Sequence, residues 1–169
     1  MTIKSGYLKN ISWNNDYKNF DYIKQPISDN EVARWRSEGY NHESFTGKLY
    51  DSRNPMPEWV NDAADEIGLY NCGFVFYRMK TNDIMPTHVD HFSKYCEIFN
   101  VERESVFRAV VFLEDWKSGH YFDISNKAIV NYKAGEWVMW SCDEPHFAAN
   151  IGIEDRYTLQ ITGLLKDDF

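Results

Sequence analysis

Apolar and polar positions follow two different periods along this chain, and the change falls near residue 73. Before it the spacing is helical. Ser28-Asp29-Asn30-Glu31 has the S-x-x-E form of a capping box, followed by Val32, Trp35 and then Gly39 as a stop, which predicts a short helix over about Asp29–Glu38. Pro57 suits a first helical turn, and Trp59, Val60, Ala63, Ala64 and Ile67 form one apolar stripe that ends at Gly68. A second helix is expected there, packed against a sheet. From Gly73 onward, β-branched and aromatic residues dominate short runs punctuated by Gly, Asn, Asp and Pro. Strands are predicted at Phe74–Lys80, Ile84–His88, Phe107–Glu114, His120–Ile124, Ala128–Tyr132, Glu136–Ser141, His146–Asn150 and Arg156–Gly163. So many short strands in about 90 residues, without helical crossovers, imply a mainly β antiparallel sandwich or barrel. Phe92 to Asn100 interrupts the pattern as a helical or irregular excursion. The expected organisation is one domain over residues 1–169, with residues 1–72 as a helical and irregular part on the sheet and 73–169 as the β-rich core.

Composition narrows the function classes. Eighteen Lys and Arg against 26 Asp and Glu give a formal charge of −8, with no basic stripe, which disfavours a nucleic-acid partner. The longest apolar runs, such as Ala109 to Leu113 and Trp137 to Trp140, are far shorter than the roughly 20 residues a membrane-spanning helix needs, so no membrane partner is expected. The opening Met1-Thr2-Ile3-Lys4-Ser5 has no apolar signal region, and a cytoplasmic location is expected. Cys72, Cys96 and Cys142 are odd in number and widely spaced, unlike a disulfide framework or a zinc knuckle. Aromatic residues, at 17%, are abundant enough to fill a core or line a cleft.

Among five histidines, His88 stands out because Asp90 follows two residues later. On a strand, residues two apart project to one face, close enough to share an ion. His146 begins another predicted strand 56 residues after Asp90. Together they have the composition of a 2-His-1-carboxylate triad, which leaves three coordination positions open and suits Fe(II). Alone, H-x-D also reads as a turn-capping Asp beside a solvated His. Ten residues after His146, Arg156-Tyr157-Thr158 places a guanidinium and a hydroxyl on one strand face, a pairing suited to holding a substrate carboxylate. Taken singly, Arg156 also fits a surface arginine paired with Glu154 or Asp155.

This constellation, over roughly His88 to Gly163, resembles the Fe(II)- and 2-oxoglutarate-dependent dioxygenase superfamily, whose motif is His-x-Asp/Glu, a distal His, and Arg-x-Ser/Thr about ten residues further on. Short, acidic phage-encoded and marine microbial oxygenases are similar. The resemblance implies a double-stranded β-helix, or jelly roll, of cupin-like form, in agreement with the strand count. It implies His88, Asp90 and His146 as iron ligands, Arg156 and Thr158 as the seat of the C5 carboxylate of 2-oxoglutarate, and O₂ as the second cosubstrate. The run Tyr132-Lys133-Ala134-Gly135-Glu136 through Trp140 to Pro145-His146 is similar to the stretch before the distal histidine in these enzymes. The implied activity is hydroxylation with release of succinate and CO₂ in a microbial or virus-infected host cell. By elimination, the expected substrate is an amino acid or other small molecule, a peptide or a protein side chain, since the superfamily's prolyl hydroxylases usually carry Lys where this chain has Arg156.

Several residues stay open at this level. His91 follows Asp90 directly and either replaces a ligand or, on alternation, faces away as a supporting or solvated group. Arg108, inside an apolar strand, either points to solvent or reaches into the pocket to meet a carboxylate of cosubstrate or substrate. His120 and Tyr121 are expected at the pocket rim or in packing. Trp137 and Trp140, three apart, face opposite ways, with core packing as their default role. Cys142 fits a buried structural thiol. Two other classes use the same fold: a cupin-type zinc or manganese enzyme built on His88, His91 and His146, in which Arg156 is dispensable, and a binding module that tolerates His88→Ala.

Overall fold

Residues 3–166 are described by the computed structural model, so the expected domain limits at residues 1 and 169 lie outside it. Among the described residues the alternating pattern resolves into eleven strands and three α-helices. In chain order these are β1 (Ile3–Tyr7), β2 (Ile23–Lys24), α1 (Asp29–Ser37), β3 (Lys48–Asp51), α2 (Trp59–Ile67), β4 (Leu69–Met79), β5 (Ile84–His88), α3 (Ser93–Phe99), β6 (Val106–Phe112), β7 (His120–Ile124), β8 (Lys127–Ala128), β9 (Glu136–Ser141), β10 (His146–Asn150) and β11 (Arg156–Leu165). Among the described residues no helix is long and apolar enough to cross a membrane.

Seven strands form one antiparallel sheet in the order β1-β9-β6-β11-β4-β3-β2, and four form another in the order β5-β10-β7-β8. From β4 onward the chain passes repeatedly from the large sheet to the small one and back, the last strand β11 inserting between β4 and β6. This winding is a double-stranded β-helix, the cupin-like jelly roll.

Alternation decides which residues fill which layer. Phe74 and Phe76 of β4, Ala109 and Val111 of β6, Trp137 and Met139 of β9, and Leu159 and Ile161 of β11 share one core on the outer face of the large sheet. The α2 stripe of Val60, Ala63, Ala64 and Ile67 closes that core, each side chain almost fully buried. Burying Val60 and Ile67 contributes about 2 kcal/mol each. The intervening residues, Tyr77 and Met79, Val110 and Phe112, Val138 and Trp140, face the small sheet. Trp137 and Trp140 therefore lie in different cores, as their spacing predicts.

Helix α1 is tied to the small sheet near the end of β5. Its Ser28 cap accepts from the Glu31 amide at 3.2 Å, and Trp35 donates its indole N–H to the Thr87 carbonyl at 3.3 Å. The excursion between residues 92 and 100 contains α3.

Two expectations are corrected. The stretch before residue 73 supplies strands β1, β2 and β3 besides its helices. The predicted strand Ala128–Tyr132 shrinks to the pair Lys127–Ala128. Ser125 and Asn126 both take positive φ in a two-residue turn after β7, and Asn131 at φ 61° ends the extended run. Tyr132 then turns inward, stacked on Phe112 with ring centroids 3.7 Å apart.

Candidate metal centre and cavity

His88 ends β5 and His146 opens β10, and the two face each other as Cα partners across the antiparallel pair. Their ring centroids lie 4.2 Å apart. Asp90 follows just beyond the strand end and brings Oδ2 to 3.8 Å from His146 Nε2. One donor atom from each of the three residues fits within a 4.8 Å span, the arrangement of a site for a single ion. Each imidazole is fixed from behind. His88 Nδ1–H donates to the Pro86 carbonyl at 2.8 Å and His146 Nδ1–H to the Glu144 carbonyl at 3.0 Å, which leaves both Nε2 atoms as the free donors to a metal.

Protonation is preset for that role. Burial lowers the pKa of both histidines, His146 to about 4, so each is neutral at physiological pH. Burial pushes the Asp90 carboxyl up, but the Arg108 and His146 charges outweigh it and hold the group at about 2. A metal would meet two neutral imidazoles and an ionised carboxylate.

Arg108 reaches into the cavity, and the carboxylate it meets is that of Asp90. Its Nε lies 3.1 Å from Oδ2 and its Nη2 3.3 Å from Oδ1, while Nη1 donates to Thr162 Oγ1 at 2.6 Å. Of the two orientations open in the sequence, Arg108 takes the one into the cavity, where its guanidinium orients Asp90. Arg103 fixes the Asp90 backbone, donating to its carbonyl and to that of Cys142.

The cavity behind the histidines runs between the two sheets, with a volume of about 80 Å³ open to a water-sized group. Met85, Val110, Phe122 and Ala148 supply apolar wall; Gln25, Tyr77, Thr158 and Gln160 add polar groups. Arg156 also lines it and is 3% exposed. Its acidic neighbours are taken elsewhere: Asp155 pairs with Arg78 at 2.6 Å and Glu154 with Lys117 at 2.9 Å. The guanidinium lies over the Phe112 and Phe122 rings, with Nη1 3.7 Å from Met79 Sδ, and its Nε and Nη2 have no hydrogen-bond partner. Thr158 shares this wall two residues along β11, itself 1% exposed.

Other candidates fall outside this group. His91 is exposed and is not among the three clustered donors. His120 is buried away from the cavity, its Nε2–H donating to the Glu154 carbonyl at 2.9 Å, so the rim position expected for it is replaced by a structural one. Tyr121 is partly exposed against Phe147. Cys142 is a buried thiol packed with Phe92, Val106 and Leu164. Residues that went unnoticed in the sequence are Gln25, which no motif marks, and Gln160, which the alternation through Arg156 and Thr158 does predict on the cavity face.

Fold and site define a double-stranded β-helix protein with a His-Asp-His cluster suited to a metal ion. No family model and no curated protein matches the chain. Solved structures similar to it include a Pseudomonas putida prolyl-4-hydroxylase, with TM-score 0.54 and 16% identity over 81% of this chain and 83% of that one. A protein from Thermotoga maritima described as a predicted oxalate decarboxylase aligns with TM-score 0.43 and 16% identity over 70% of this chain and 80% of its own. A Bacteroides fragilis cupin protein aligns with TM-score 0.43 and 10% identity over 86% of each chain. The likeness is one of fold.

Proposed function

We propose that this chain is an Fe(II)- and 2-oxoglutarate-dependent oxygenase that hydroxylates an amino acid, a peptide or a protein side chain. The observation that carries this reading is the Arg156 guanidinium, buried without an anionic partner in the same cavity that His88, Asp90 and His146 border. A buried cation is costly until a counter-charge arrives, and a dicarboxylate with one end at the metal cluster supplies one at the other.

Two imidazoles and one carboxylate suit Fe(II) and leave positions for a bidentate 2-oxo acid and O₂. When bound, the iron supplies oxidative chemistry in which 2-oxoglutarate, O₂ and a substrate C–H become succinate, CO₂ and the hydroxylated product. The protein's own contribution is placement. Arg156 holds the C5 carboxylate through its fork and fixes one productive orientation, with the Thr158 hydroxyl as a further donor. Asp90 offsets the charge of the ion, and Arg108 holds that carboxylate in place. Met85, Val110 and Phe122 supply the apolar part of the wall between the two ends.

The test is formation of the visible charge-transfer band when 2-oxoglutarate is added to anaerobic, Fe(II)-loaded protein. Wild type is expected to show it, Asp90→Ala and Arg156→Ala to lose or greatly weaken it, and succinate release then serves to screen substrates. A wild type that gives no band and retains zinc refutes the oxygenase reading in favour of the cupin-type enzyme, for which Arg156 has no carboxylate to hold.

A further inference from the structure

Among the described residues, buried side-chain polar atoms without a partner occur on three residues, Gln25, Trp140 and Arg156, and all three line the one cavity. Arg156 is accounted for by a ligand carboxylate. Trp140 is not. Its side chain is 1% exposed, and an indole N–H can only donate, so no rearrangement of its own satisfies it. The contrast within the protein is direct: Trp13, Trp35 and Trp116 each give their indole N–H to a backbone carbonyl, at 3.1, 3.3 and 2.8 Å. A native fold rarely buries such a donor without a function for it.

Register fixes which end of the cavity Trp140 serves. It is the Cα partner of Arg108 on β6, which is in turn the partner of Thr162 on β11. That row is the one that holds Asp90, through Arg108. Arg156 lies on the same strand as Thr162 but six residues away, about 20 Å along the strand axis. The Trp140 ring packs on His146 with centroids 4.8 Å apart, and on Phe122 at 5.7 Å, while the Arg156 guanidinium lies 5.4 Å from the Phe122 ring. Trp140 thus belongs to the metal end and Arg156 to the opposite one.

We propose that the Trp140 indole N–H is a second recognition donor for the cosubstrate, bonding an oxygen of the 2-oxo acid at its metal-binding end. The inference rests on the oxygenase reading and deepens it: the cavity selects a ligand with acceptor oxygens at both ends, an anionic one for Arg156 and a carbonyl or carboxylate oxygen for Trp140. Gln25, whose unpartnered atom is an acceptor, has no role toward a ligand made only of acceptors.

The test is calorimetric titration of 2-oxoglutarate into Mn(II)-loaded wild type and Trp140→Phe, the latter keeping an aromatic ring against His146 and Phe122 while removing the donor. The dissociation constant is expected to rise about tenfold with Mn(II) affinity unchanged within about twofold, since the indole is not a metal ligand. A wild type that binds 2-oxoglutarate no better than Trp140→Phe overturns the inference; a wild type that binds none refutes the oxygenase reading itself. A second measurement uses wild type alone, in case the variant does not fold. In the indole region of the ¹⁵N–¹H spectrum of Zn(II)-loaded protein, 2-oxoglutarate should move one signal downfield, and those of Trp13, Trp35 and Trp116 should stay. Saturation with 2-oxoglutarate that moves no indole signal downfield overturns the inference.

Discussion

Arg156 offers the sharpest quantitative consequence, because on the proposed function its burial without a partner is a burden to the empty protein. Its Nε and Nη2 are buried without partners, at about 1–3 kcal/mol each. The Phe112 and Phe122 rings, 5.8 and 5.4 Å away, return about 1–2 kcal/mol each through cation–π attraction. At the midpoints of these ranges the difference leaves a net penalty of about 1 kcal/mol. Arg156→Met keeps a side chain of similar length against Met79, Phe112 and Phe122 while removing the charge. The ligand-free variant should therefore be more stable than wild type and melt about 2–4 °C higher. The order reverses with Mn(II) and 2-oxoglutarate present: at a hundredfold excess over its dissociation constant the ligand stabilises wild type by about 2.7 kcal/mol and leaves the variant unmoved. Thermal unfolding followed by circular dichroism, with and without ligand, measures both. A ligand-free Arg156→Met that melts below wild type with its near-ultraviolet spectrum intact would sink the reasoning, because the guanidinium would then be stabilising the fold by itself.

Three further outcomes are expected. Arg108→Gln removes both bonds to the Asp90 carboxylate and the one to Thr162, and should lower stability by about 3 kcal/mol in urea unfolding; an unchanged midpoint would show the ion pair to be idle. Gly119→Ala should cost about 2 kcal/mol or more, since Gly119 has φ +91° and an added Cβ would collide with the backbone N and Cα of Gly152; a wild-type urea midpoint contradicts this. In metal-free protein, burial favours the neutral imidazole of His146, so the unfolded chain binds its proton first. Stability should be level above about pH 7, fall as pH drops below 6.5, and be lower by about 3 kcal/mol near pH 4 from this group. His146→Gln should flatten that part of the profile, and a variant with the wild-type slope would remove His146 as its cause.

The parts of this architecture that were legible in the sequence are those governed by alternation. Arg156 and Thr158 fall on one face because they are two apart, Trp137 and Trp140 on different faces because they are three apart, and the structure places them so. The meeting of His88 and His146 was legible as a pattern of residue types, while their direct pairing depends on a register that no local signal carries. Pairing between distant segments is also why β1, β2 and β3 went unseen. Ile3–Tyr7 contains Ser5 and Gly6, poor strand formers, and Gly6 is needed because a Cβ there would lie 2.6 Å from the Trp137 ring. Arg108 shows another limit: a charge in an apolar strand announces a buried partner, but only the fold reveals that the partner is Asp90. His120 shows the converse, since a strand end facing away from the cavity gives its histidine to a backbone carbonyl.

The unequal tethering of the two ends of the cavity has a consequence for exchange. Arg156, Thr158 and Gln160 stand on β11, which is hydrogen-bonded on both edges within a seven-stranded sheet. His88 and His146 stand at the ends of five-residue strands, and Asp90 follows in chain outside any strand. Local opening follows such differences, so amide protons around residues 158–162 should exchange among the slowest in the protein and those around 88–91 far faster. The His-Asp-His end of the cavity can then open locally while the wall that carries Thr158 and Gln160 stays closed.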